Sequence, residues 1–292
     1  MAGPSPRRPD VLRAASVPLA PTLGLAAGTW IVLTSPYRDL PGWPVWAAMA
    51  VVLSTAAGAV FAYGLERWAE LRGLQVVRTR QVARPIAGIV ALAVLLLVAQ
   101  VALTGWTGTW RGAALVALAL AGGAPALGAM FGVRLAARGG RLSPTRGGQA
   151  ADLITLRRLL QRLLPALGSL VALSTLALGA ARAIRPQPLP SSAAAALPPE
   201  AVVFFGAVGS LLVGLAYVPA ATALRHRGER LCDELLPLRK ADEASEVLRL
   251  ADERQRLEQL LGVDRGIFAE LQSGLVILGP LLASAAAAFL PG

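Results

Sequence analysis

Seven apolar segments, each close to twenty residues long, leave this chain few ways to fold. They are Val17 to Thr34, Val45 to Leu65, Ile86 to Thr104, Ala113 to Val133, Leu164 to Ala183, Ala201 to Thr222 and Leu271 to Leu290, about half of the 292 residues. An α-helix rises about 1.5 Å per residue, so about twenty apolar residues cross a hydrocarbon layer about 30 Å thick. A helix also satisfies every backbone amide internally, which lipid cannot do for it. The expected fold class is therefore all-α, a polytopic transmembrane helix bundle with seven spans and a cytoplasmic helical hairpin. Residues 1–222 form a membrane domain of six spans, 223–268 the hairpin, and 269–292 the seventh span.

Charge distribution orients the bundle. The sequence has a formal net charge of +11, which in a soluble protein would suggest nucleic acid. Here the arginines instead flank apolar segments, as cytoplasmic loops do, and nucleic acid is not an expected partner. Alternate connections (1–16, 66–85, 134–163 and 223–268) hold 24 of the 28 basic residues. Only Arg38, Arg111, Arg182 and Arg185 fall on the other side. The positive-inside rule puts the N-terminus in the cytoplasm and, with seven spans, the C-terminus outside. Trp30, Trp43, Trp46, Trp106 and Trp110 gather near the outer interface, where an indole buries its ring and keeps its N–H wet. Arg7, Arg8 and Arg13 precede another span and fit a retained first helix better than a cleaved export signal. The expected location is the inner membrane of a bacterial cell, with the cytoplasmic arginine clusters against anionic headgroups. A Leu-rich stretch at 151–164, with Arg157, Arg158 and Arg162 interleaved, is expected to lie on that headgroup layer before Pro165 turns into the fifth span.

The span interiors hold little chemistry. Ionisable groups inside a bilayer mark transport and catalytic paths, and the middle of every span is uncharged. Ser54, Thr55, Ser174, Thr175, Ser210 and Ser284 are expected to bond their own helix or a neighbour. Small residues four apart, including Gly24 with Gly28 and Gly128 with Gly132, suit close helix packing. Gly122, Gly123 and Pro125 interrupt the fourth span, and Gly279 and Pro280 the seventh. Broken spans free backbone groups that some transporters use at the midplane. With Glu270 at the cytoplasmic end of the seventh span, these residues support an alternative reading as a small-solute transporter or channel.

No nucleophile elbow, phosphate loop, zinc-protease motif or dinucleotide fingerprint occurs. His226 and Cys232 are six residues apart, about 240° round a helix, so they do not share a face. A single cysteine completes neither a disulfide nor a cysteine-based zinc site. No catalytic activity and no cofactor or metal are expected.

The hydrophilic run 223–268 carries 19 of the 45 charged residues. The sixth helix is expected to continue to about Leu236, where Pro237 intervenes, and a second helix to run from 241 to 261 and stop at Gly262. One face of that second helix reads Val247, Leu250, Arg254, Leu257 and Leu261, a short coiled-coil-like seam with one arginine in it. The seam can fold back on the protein, including the Leu-rich helix, or pair with a second chain. Two heptads favour the first. The expected function is that of a non-catalytic assembly or regulatory membrane component acting through this segment, with a protein partner or self-association at 241–261.

Overall fold

The computed structural model describes residues 10–74, 79–104, 110–139, 142–184, 199–237 and 244–263. These form seven helices and, among the described residues, no strand. They are α1 (Asp10–Leu33), α2 (Trp43–Leu74), α3 (Thr79–Thr104), α4 (Trp110–Arg138), α5 (Arg146–Ile184), α6 (Pro199–Leu235) and α7 (Ala244–Leu261). The first six apolar segments of the sequence fall one to a helix in α1 to α6. Four helices, α2, α4, α5 and α6, are long and apolar enough to cross a membrane, while α1 and α3 carry shorter apolar stretches at Leu19–Leu33 and Val82–Leu96. The segment 271–290, with Gly279 and Pro280, lies outside the described residues, as does Glu270.

Helix α2 is central, packing on α1, α4 and α5, while α6 closes the other side against α4 and α5. The α1–α2–α4 contacts are made backbone to backbone. A Cβ added at Gly24 of α1 would lie 2.2 Å from the Ser54 carbonyl oxygen of α2, and one at Gly58 of α2 would lie 2.1 Å from the Ala20 oxygen. A Cβ at Gly122 of α4 would meet the Ala57 oxygen at 2.6 Å, and one at Gly64 would meet the Ala126 nitrogen at 2.5 Å. Glycine is required at these positions because no side chain fits between the two backbones. Across the same layer Ser54 and Thr55 donate to the carbonyls of Ala50 and Val51, and in α5 Ser174 and Thr175 donate to Leu170 and Val171. These four hydroxyls are satisfied within their own helices, as membrane serines and threonines commonly are.

At one end of the bundle, where α1 finishes and α4 starts, Arg111 donates to the Thr34 carbonyl and lies over the Trp110 ring, 4.7 Å from its centroid. At the other end α5 begins. The Thr145 hydroxyl accepts the Gly148 N–H at 3.2 Å, an N-cap, and Ser143 donates through its N–H and hydroxyl to Asp152, each at 2.9 Å. The Leu-rich stretch 151–164 is not a separate helix turned into the fifth span at Pro165. It is the first part of α5, which continues through Pro165. Leu153, Leu156, Leu160, Leu163, Leu167 and Leu170 keep one apolar seam across the proline and are all buried in the core. Pro165 faces outward, so its ring avoids the seam, and only the Gln161 carbonyl is deprived of a helical donor.

Candidate functional site

The polar hairpin is built where α6 ends, α5 begins and α7 returns. Helix α6 runs well past its apolar part and stops at Leu235, two residues before Pro237. Helix α7 ends at Leu261 with Gly262 at φ 63°. The Gly262 N–H bonds the Gln259 carbonyl at 3.1 Å and the Val263 N–H bonds the Glu258 carbonyl at 2.8 Å, which together make a Schellman C-cap.

That C-terminus is docked. Arg157 of α5 donates to the Leu261 carbonyl, placing a cation at the negative end of the α7 dipole. Val263 is buried and sits in a notch at Gly228 of α6, where an added Cβ would come within 2.7 Å of the valine Cγ2. Leu261 is also buried. Further back along α7, Arg254 bridges Asp233 of α6 and Glu258 of its own helix, both at 2.7 Å. Hydrogen bonding to Glu258, outweighing partial burial and reinforced by Asp233, raises the Arg254 pKa above its usual value, so its charge is permanent. Between the docked end and the α5 and α6 surfaces remains a void of about 30 Å³ bordered by Tyr217, Gln161 and Arg225, room for little more than water.

The five seam residues do not share one environment. Val247 is exposed, Leu250 is half-buried, Arg254 makes the bridge to α6, Leu257 packs against the core and Leu261 is inside it. The seam thus folds onto its own chain over its C-terminal half. Its N-terminal half stands clear, with Leu248 70% exposed beside Val247.

Cys232 and His226 are separated as their spacing requires. The cysteine is fully buried in the core, while the histidine is 66% exposed and contacts Glu229 at 3.2 Å. Glu229 also accepts a hydrogen bond from Arg225 at 2.9 Å. Nothing here pairs a thiol with a base. Among the described residues no three His, Cys, Asp or Glu side chains come together as a metal site.

The expected interruption of the fourth span is absent. Helix α4 is continuous through Gly122, Gly123 and Pro125. Gly122 lies against the α2 backbone and Gly123 faces Leu167 and Leu170 of α5. A helix held on two sides keeps its path although Pro125 offers no N–H to the Ala121 carbonyl. Gly279, Pro280 and Glu270 lie outside the described residues.

The residues that hold the hairpin were hard to find in the sequence. Arg157 reads as one of several interfacial arginines and Gly228 as an ordinary helical glycine. The single local clue is Gly262 followed by an apolar residue, the pattern of a capped helix whose next side chain is pinned. No known family, no curated protein and no solved structure matches this chain.

Proposed function

We propose that the chain is a multi-pass protein of a bacterial inner membrane, with seven spans, a cytoplasmic N-terminus and an outward C-terminus. We further propose that it acts as an assembly or regulatory component and not as a catalyst. The observation that carries this reading is the half-docked α7. Its C-terminal half is fastened by Arg157, Arg254 and Val263, while Val247 and Leu248 are left exposed side by side on its free N-terminal half. An apolar pair on a polar, anchored arm suits a small helix-in-groove contact with another protein or a second copy. The 24-to-4 division of basic residues supports the orientation.

Purification in mild detergent tests the function. The expected result is self-association or a retained protein, lost on Val247→Glu with Leu248→Glu; a monodisperse, unaccompanied protein overturns the reading. Topology is tested through Cys232. With α7 undocked by Arg157→Ala and Gly262→Ala, a membrane-impermeant maleimide is expected to label the thiol only in opened cells. Labelling in intact cells would invert the orientation.

A further inference from the structure

We infer that the segment 271–290 packs antiparallel to α6 in the groove that α6 forms with α5, continuing outward from the place where the end of α7 is docked. The inference rests on the seven-span reading above and says where the last span goes. The inner end of the groove is already occupied. Val263 sits at Gly228 of α6, and the docked end faces Ala221 of α6 and Gln161 of α5 across the small void beneath it. From there both helices continue outward with small residues. Gly228, Ala221, Gly214 and Ala207 are seven apart on α6, and heptad spacing drifts only about 20° per step round a helix. On α5, Gln161, Gly168, Ala172 and Gly179 fall within about 40° of one line at about 100° per residue. Both lines start under α7, and α5 and α6 still touch further out, where Gly209 faces Val171. The two lines therefore border one continuous groove.

Its outer part is open. Ala207, Gly214, Ala172 and Gly179 are half-buried, and no atom lies within 4 Å of a Cβ added at Gly214, whereas Gly24, Gly58 and Gly122 all face another backbone. Small residues gain nothing against lipid tails and matter where a second helix comes close. The tether and the depth both select 271–290 as that helix. Seven residues join Val263 to Leu271 and reach at most about 29 Å. Thr222, the inner end of the apolar part of α6, is six residues from Gly228, only about 9 Å further along the axis. Two apolar stretches that fill one hydrocarbon layer have their inner ends level. Gly214 lies eight residues outward of Thr222 and Gly279 eight outward of Leu271, so the two glycines share a depth. The outer ends, Ala201 and Leu290, then agree within two residues, about 3 Å.

The test uses the full chain in membranes, carrying Cys232→Ala, or Cys232→Ser if the alanine variant does not accumulate. Ala172→Cys is combined with a single cysteine substitution at each position from 281 to 287, and disulfides are formed with copper phenanthroline. Ala172 follows Val171, which meets Gly209, and the shared depth sets it level with about residue 284. Yield is expected to peak near Ser284 and to recur three or four positions away, in a chain that migrates as a monomer. Leu215 is exposed and turned about 100° from Gly214; Leu215→Cys, scanned against 275–281 at its own depth, should give at least fivefold less. A groove with methyl groups at Ala207 and Ala221 accepts another at Gly214 but not a leucine, so Gly214→Leu should lower the Ala172 disulfides at least fivefold. Equal yields from Ala172 and Leu215, indifference to Gly214→Leu, or disulfides only between two copies overturn the inference. Gly292→Cys separates the two levels. Labelling by an impermeant maleimide only in opened cells sinks the seven-span reading itself, while labelling in intact cells without the Ala172 disulfides sinks only the groove.

Discussion

The α1–α2–α4 layer and the α7 docking site are both helix packing, yet they are made differently. In the first, backbones touch with glycine between them, and Gly24, Gly58 and Gly122 leave no room for a methyl group. In the second, a guanidinium, a valine in a notch and a bridging arginine hold α7 at the edge of the bundle. Backbone contact has no intermediate state, because the helices either approach or they do not. Contacts made by long, half-exposed side chains can be broken singly, each for about 1 kcal/mol or less. The bundle is thereby rigid where α1 and α2 meet and adjustable where α7 docks.

The largest expected effect sharpens the rigid side. Gly58→Val forces branched carbons into the Ala20 carbonyl, which an added Cβ already approaches to 2.1 Å. Overpacking typically costs about 1 to 3 kcal/mol, and the upper end applies because the obstacle is backbone. Thermal unfolding followed by size-exclusion chromatography in detergent should show a lower midpoint. Gly214→Ala is the matched control. No atom lies within 4 Å of its added Cβ, so the helix gains up to about 1 kcal/mol from propensity alone. Equal losses from the two variants would show that the glycine contacts do not hold this layer.

The next effect is on docking. Gly262→Ala places a side chain at φ 63° and against the Arg157 guanidinium, and a non-glycine residue in the left-handed region costs about 1 to 2 kcal/mol. Cys232 reports the result, since it lies fully buried on α6 near Arg254 and Glu258 of α7. If the thiol reacts through local opening, its labelling rate follows the opening equilibrium, and about 1.4 kcal/mol is tenfold. Gly262→Ala should therefore raise maleimide reactivity about tenfold. Arg157→Ala should raise it somewhat less, by removing a charge at the helix C-terminus worth about 0.3 to 1 kcal/mol. An unchanged rate in both would mean that α7 does not guard the thiol.

Asp233→Asn should do less again. Asp233 is 63% exposed and Arg254 keeps Glu258, so the pair belongs with surface ion pairs worth about 1 kcal/mol or less. Screening acts in the same direction, and raising salt from 0.01 to 1 M shortens the Debye length from about 30 to about 3 Å. Salt should accelerate Cys232 labelling in the wild type and do so less in Asp233→Asn. A salt response identical in both would assign it to another contact.

The sequence was informative where periodicity alone decides. Apolar segments became helices one to one from α1 to α6, the break before Pro237 was placed within two residues, and the Gly262 stop was correct. It misled where a proline or glycine had to be judged without its neighbours. Pro165 and Gly122–Pro125 look like breaks because each removes a local helical preference. Both stretches remain helical because the leucine seam of α5 and the α2 backbone hold them. Arg157 was unreadable for a similar reason. Its partner is a carbonyl 104 residues away, and no local spacing announces such a contact.

The smallest expected effect on stability bears most directly on function. Val247 and Leu248 touch the adjustable region only at its free edge, being 38% and 70% exposed. Substituting both with glutamate should change unfolding by no more than about 0.5 kcal/mol per site, as for surface positions generally. It should leave Cys232 labelling unaltered, because the contacts that cover the thiol lie further along α7. If the pair exists to meet a partner, charging it removes association while folding and docking stay intact. If its role is to steady α7, thiol reactivity rises and association is untouched. The two measurements on one variant therefore separate an arm that is held from an arm that holds.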